Sequence, residues 1–204
     1  MNRRRMLSIA LSLVAFSSVP FSRAEAEPTP PETVQAFCDA LISSMKQGPT
    51  IGFSGRKNLL EPEIRKAIDL PLMTRLVMGP PWRSLTPEQQ GQLVDAFSQF
   101  SIATYANRFS SYSGERFTVD PSTTRLESGD VIVNTQLKTN DPEPVRLDYL
   151  MRDRNGRWQV IDVYLSGSIS ELAARRSEFS SVVRQGGAAA LIELLKKKTA
   201  ELSG

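Results

Sequence analysis

Residues 145–172 read VRLDYLMRDRNGRWQVIDVYLSGSISEL, and the fold follows from how the two halves of this stretch pair. Asn155-Gly156 is the strongest short hairpin signal, because both residues tolerate the positive φ angles of a two-residue turn. Such a turn sets Arg154 opposite Arg157 and fixes the rest by counting. Met151 faces Val160, Leu150 faces Ile161 and Tyr149 faces Asp162, then Asp148 faces Val163 and Leu147 faces Tyr164. One side of this hairpin is almost wholly apolar and aromatic. A strand on a one-sided sheet alternates apolar with polar residues. The second strand does not: Trp158, Val160 and Tyr164 occupy one face, and Ile161, Val163 and Leu165 the other. It needs cover on both faces, and helices on both sides are expected.

Upstream, ERFTVD (115–120) and DVIVNTQLK (130–138) read as further strands, the latter with Val131, Val133, Thr135 and Leu137 on one face. Downstream, Ser168 and Glu171 fit a capping box. The helix they open carries Ile169, Leu172, Phe179 and Val183 at helical spacing until Gly186-Gly187. A final helix covers about 188–202. Before the strands, Thr29 is expected to cap a helix over about 31–47, with GPTIGFSG (48–55) as a loop. A second helical region covers about 61–77, broken near Pro71. Thr86, Pro87 and Gln89 then form a strong start signal for a long helix to about Phe109. Helices, an antiparallel sheet and helices again make the class α+β.

Residues 1–26 stand apart. MNRRR is a basic start, Leu7–Phe16 is an apolar run too short to span a bilayer, and AEA (24–26) suits a small-residue cleavage site. They are expected to be an export signal, of either the general secretory or the twin-arginine type, with residues 27–204 as a single domain. Four of the 25 basic and one of the 22 acidic side chains lie in this segment, leaving 21 of each in the remainder. A balanced chain lacks the basic footprint of a nucleic-acid-binding protein. Lys196-Lys197-Lys198 suits a helix C-terminus. The single cysteine, Cys38, shares a helical face with Val34, Phe37, Leu41 and Met45 and is expected to be buried and inert.

The chain has no histidine, which removes histidine triads, histidine metal sites and the usual neutral-pH general base. No nucleophile elbow, phosphate loop or calcium loop is present. Asp148 and Asp162 sit in the sheet, but an aspartate opposite a tyrosine is an ordinary hydrogen-bonded pair. The expectation is a protein that is not an enzyme and has no catalytic residue, metal or cofactor.

WRSLTPEQQGQLVDAFSQFSIATYANRFSSYSGERFTV (82–119) and the hairpin with its following helix to Leu195 resemble the MlaC/toluene-tolerance family of periplasmic lipid-binding proteins. Trp82, Thr86–Gln90, Tyr105, Val145–Tyr149, Trp158 with Asp162, and Arg176 with Phe179 carry the resemblance. FSGRKNLLEPEIRKAIDLPLMTRLVMGP (53–80) and YSGERF (112–117) look closest to its hopanoid-biosynthesis-associated, HpnM-type branch. The resemblance implies a twisted antiparallel sheet of about four strands wrapped by helices, enclosing an apolar lipid cavity. It implies a periplasmic carrier of phospholipid or hopanoid. Its implied partners are an inner-membrane lipid transport complex, of ABC or RND type, and an outer-membrane lipoprotein or porin. The alternative is an envelope adaptor whose apolar surplus is only core. A lipid in water exposes its chains at ~0.8 kcal/mol per CH₂, so a sixteen-carbon chain costs on the order of 12 kcal/mol. A carrier must match the bilayer with apolar surface, and part of the last strand's cover is then lipid.

Spacing toward one face nominates the lining: Phe37, Leu41, Leu72, Leu76, Leu93, Phe97, Phe100, Val133, Leu147, Tyr149, Met151 and Val160. Asp162 falls on the apolar face and needs partners. Tyr149 opposite it and Arg175 or, by preference, Arg176 from the next helix are the expected ones, either pinning that helix to the sheet or forming a polar cavity mouth.

Overall fold

The computed structural model describes residues 27–203, so the expected export signal at 1–26 lies outside the described residues. The order is α1 (Pro30–Ala67), α2 (Leu70–Met78), a short 3₁₀ helix (Pro80–Ser84), α3 (Pro87–Arg108), β1 (Arg116–Arg125), β2 (Val131–Lys138), β3 (Val145–Arg154), β4 (Arg157–Leu165), β5 (Ile169–Ser170) and α4 (Glu171–Glu201). The class is α+β. The strands form one antiparallel sheet in sequence order, β1-β2-β3-β4-β5, the fifth being a two-residue addition to the four expected.

Asn155 (φ 57°) and Gly156 (φ 88°) make the hairpin turn, and Arg154 faces Arg157 as counted. Met151 also faces Val160, but beyond that pair the register departs from simple counting. Asp162 faces Leu150, Val163 faces Tyr149, Tyr164 faces Asp148 and Leu165 faces Leu147. Ile161 is left without a partner: a β-bulge, which inserts one residue and shifts the face of everything after it. The bulge explains why the strand reads as apolar on both faces. Val160, Val163 and Leu165 share the face that carries Met151, Tyr149 and Leu147.

The helices therefore gather on that one face rather than on both. On the other face, Asn134, Leu150 and Tyr164 are half-exposed. There Arg152 grips Asp130 with two hydrogen bonds of 2.8 and 2.7 Å, and Arg146 pairs with Asp148 at 2.8 Å.

Two other boundaries differ from expectation. Residues 48–55 are not a loop; α1 continues through them and breaks helical geometry only at Gly52 (φ 62°, ψ −172°). Arg56 bridges the break, donating from Nε to the Ala106 carbonyl (2.7 Å) and from Nη1 to the Gly48 carbonyl (3.1 Å). The cap of α4 is Ser170, not Ser168, and its hydroxyl accepts the Ala173 N–H.

Gly187 (φ 61°, ψ −149°) then folds α4 back on itself. Lys198 reaches Glu178 at 2.8 Å, although twenty helical residues span about 30 Å when straight. The two arms therefore run side by side, and the second packs Leu191 and Leu195 into the core.

Ile68 bridges to Val160, and the Asp69 N–H donates to the Val160 carbonyl at 2.9 Å. The Asp69 carboxylate caps α2 at the Leu72 N–H and meets Arg154 at 2.9 Å. These contacts hold the start of α2 against the hairpin.

Candidate functional site

A cleft of about 250 Å³ lies between the inner face of the sheet and α2, α3 and the start of α4. Leu137, Val145, Leu147, Tyr149, Val163 and Leu165 form its floor. A stripe along α3 forms its roof: Phe97, Phe100, Ser101, Thr104, Tyr105 and Arg108, with Met73 from α2 and Phe109 beside it. This stripe follows the three- and four-residue spacing of one helix face. On the opposite side of α3, Ile102 and Ala106 are fully buried.

Four of the twelve residues nominated from sequence line the cleft: Phe97, Phe100, Leu147 and Tyr149. Phe37 lies one layer behind, edge-on to Tyr105 (5.4 Å between ring centroids) and Tyr149 (6.2 Å). Leu41, Leu72, Leu93, Val133, Met151 and Val160 are buried in the core without reaching the cleft. Leu76 lines a separate concavity, together with Arg176.

Asp162 does not meet Arg176 or Tyr149. Its Oδ1 accepts the N–H groups of Val163 (2.8 Å) and Leu172 (3.0 Å), and its Oδ2 accepts the Ser170 hydroxyl (2.5 Å). The bulge is the reason: it turns Asp162 away from Tyr149 and toward the first turn of α4. An acid there satisfies N–H groups that an α-helix leaves without partners.

Sequence reading missed Met73, Tyr105, Arg108, Phe109, Leu137, Val163, Leu165 and Arg175 as lining. For α3 the signal was available: Ser101, Thr104 and Arg108 interrupt an apolar stripe that a dry core would fill. For Val163 and Leu165 the bulge concealed it.

The mouth of the cleft is ionic but internally paired. Arg108 lies 3.8 Å from Glu171, and Arg175 lies 2.8 Å from Glu178, which also holds Lys198. Arg175 stands over the Phe100 ring at 5.2 Å. Burial works against charge on Glu178, but hydrogen bonds from Lys198 and Arg175 outweigh it and hold its carboxyl below the usual range. Inside, burial pushes the Tyr105 and Tyr149 hydroxyls up, so both are neutral. Burial likewise pushes the Cys38 thiol, beside Tyr149, up to about 12. Among the described residues Glu171 is the only carboxylate lining the cleft. Among the described residues no group of three or more histidine, cysteine or acidic side chains is placed to hold a metal.

A wider groove, about 630 Å³, runs along the outside of α3 and α4, between Gln92, Asp95 and Gln99 on one side and Ile192, Lys196 and Thr199 on the other. Its lining is less apolar than that of the smaller cleft and does not reach the sheet, so the smaller cleft is the better candidate for an apolar ligand.

Among the described residues no helix is long and apolar enough to cross a membrane. The family model described as MlaC protein matches residues 35–197. The fold is similar to that of a phospholipid-binding protein from Ralstonia solanacearum, solved in complex with a phospholipid. The TM-score is 0.75 at 26% sequence identity, covering 87% of this chain and 100% of that one.

Proposed function

This chain belongs to the MlaC family, and from that premise we propose that it is a periplasmic lipid carrier whose apolar cleft shields acyl chain from water. The observation that carries the reading is the cleft between sheet and α3, mostly apolar on its floor and roof and bordered at its mouth by mutually paired charges. Such a site supplies the apolar surface that a chain leaving a bilayer requires. It asks for no reacting group, which supports binding and transfer rather than catalysis.

The phospholipid bound by the Ralstonia solanacearum protein supports phospholipid as the ligand class. The resemblance of residues 53–80 to the hopanoid-associated branch makes a hopanoid the second cargo to test. The resemblance likewise supports handover between an inner-membrane transport complex of ABC or RND type and an outer-membrane lipoprotein or porin. At about 250 Å³, the cleft is just below the ~300–1,000 Å³ usual for ligand sites. Loading therefore involves the helices moving off the sheet.

Native mass spectrometry of the protein purified from its own cells tests the reading. Bound lipid at near-stoichiometric occupancy is expected and names the cargo. A protein that is empty, and that extracts nothing from vesicles, refutes the carrier reading and leaves the adaptor. The same spectrum tests export: the mass should begin near Glu27, and a chain retaining residues 1–26 contradicts the expected signal.

A further inference from the structure

On the far side of the contact between α2 and α4, a second concavity of about 430 Å³ is lined by Arg75 and Leu76 of α2, by Gly79, Pro80, Trp82 and Arg83, and by Arg176 of α4. Among the described residues no acidic side chain lines it. Of the fourteen arginines among the described residues, Arg65, Arg108, Arg146, Arg152, Arg154 and Arg175 each lie within 4 Å of a carboxylate. Three of the eight without such a partner, Arg75, Arg83 and Arg176, come together at this one concavity. Arg75 belongs to the last turn of α2, where a cation suits the helix end. Arg83 likewise sits in the last turn of the short 3₁₀ helix, but the argument does not reach Arg176, which lies near the start of α4.

The backbone makes room for one of these charges. Gly79 has φ 70°, and a Cβ built there falls 3.3 Å from Nη2 of Arg176. A side chain at 79 would press on the guanidinium, and the glycine lets it rest against the main chain. Trp82, half-buried, supplies an apolar wall.

We propose that Arg75, Arg83 and Arg176 form a binding site for a phosphate ester, separate from the apolar cleft. Planar guanidinium groups match phosphate oxygens with two parallel hydrogen bonds each, which a single lysine does not provide. The concavity is larger than a bare phosphate needs, and the Trp82 wall gives an organic substituent apolar contact. A phosphodiester of headgroup size is the ligand class it fits, with free inorganic phosphate as the other source of the same chemistry. The site does not depend on what the cleft carries.

The test uses Trp158→Phe protein, in which Trp82 is the only tryptophan left of two. Its emission is followed on titration with glycerophosphoglycerol, inorganic phosphate and a hexaglutamate peptide, with calorimetry alongside. Saturable, salt-sensitive binding of glycerophosphoglycerol is expected. Arg75→Gln, Arg83→Gln and Arg176→Gln should each weaken it by at least about tenfold. All three side chains are exposed, so the variants should keep the parent melting temperature. Phosphate binding as tightly as the diester supports the site with free phosphate as its occupant. Absence of saturation up to about 10 mM, or tighter binding of hexaglutamate than of either phosphate, overturns the proposal. So does unchanged affinity in all three variants. Lipid occupancy of the cleft, read by native mass spectrometry, should be the same in the triple variant as in the parent. A fall there refutes a separate site without touching the carrier reading.

Discussion

Asp162→Asn is expected to destabilise the protein without emptying its cleft. The carboxylate is 5% exposed and accepts three hydrogen bonds, from Val163, Leu172 and Ser170. A bond to a charged acceptor contributes about 1.5–3 kcal/mol and one to a neutral acceptor about 1. Asparagine keeps its carbonyl oxygen for the two N–H donors, losing about 1 kcal/mol on each. Its amide nitrogen cannot accept the Ser170 hydroxyl but can donate to that oxygen instead, a neutral bond in place of a charged one that loses about 1 kcal/mol more. The sum is about 3 kcal/mol. At 2–4 °C per kcal/mol for a chain of this size, the melting temperature should fall by roughly 6–12 °C. Ser170→Ala removes one of the same bonds, together with the α4 cap at Ala173. The double variant should therefore cost about 1 kcal/mol less than the two single changes added. Circular dichroism melts give the stabilities, and native mass spectrometry gives lipid occupancy of the folded fraction. A shift under about 2 °C, or strict additivity with Ser170→Ala, refutes the assignment of Asp162 to the start of α4. Unchanged stability with reduced occupancy would return Asp162 to the cavity mouth.

Thr104 lies half-buried under the mouth of the cleft, and Thr104→Trp should cut lipid occupancy by at least about half, measured by native mass spectrometry, while leaving the melt nearly unchanged. Gly187→Ala puts a side chain at φ 61°, ψ −149°, a region open to glycine alone, at a cost of about 1–3 kcal/mol, read from urea unfolding. Cys38, with its thiol pushed up to about 12 by burial, should react with iodoacetamide at pH 8 about a thousandfold more slowly folded than in urea. The Arg152 hydrogen bonds hold the Asp130 carboxyl below its ordinary value, against the smaller effect of burial. The unfolded chain then takes up the proton first as pH falls. The stability this pair contributes is present above pH ~4 and lost as pH falls through the depressed folded value. Asp130→Asn should lower the melting temperature at pH 7, and the difference from the parent should shrink toward pH ~2.

Periodicity read the class, the α3 cap at Thr86 with its partner Gln89 and the hairpin turn, because each is a local signal. The same method failed at Ile161. Period-two counting is correct only while every residue has a partner, and one unpaired residue reverses every assignment beyond it. From that residue came both the expectation of helices on two faces and the pairing of Asp162 with Arg176. Periodicity also identifies the buried side of an element without distinguishing protein from void as the neighbour. Met151 and Tyr149 alternate on one strand and face the same way, yet Met151 is packed in the core while Tyr149 meets the cleft. The cleft is set by how far α3 stands off the sheet, a distance that no single element encodes. The arginine concavity was out of reach for a related reason: its charges come from positions 75, 83 and 176, far apart in the chain.

The reversal of α4 at Gly187 has a practical consequence for anyone handling this protein. It returns the last helical residues to the side of the cleft: Lys198, Glu201 and Leu202 border a small hollow with Phe100, Thr104, Arg108 and Arg175, and the latter four also line the cleft. The N-terminal end of the described chain is elsewhere, with Pro28 and Glu32 beside Glu63 and Lys66. An affinity tag or fluorescent fusion appended after α4 therefore emerges beside the mouth of the cleft. The same tag placed ahead of α1 leaves that mouth clear.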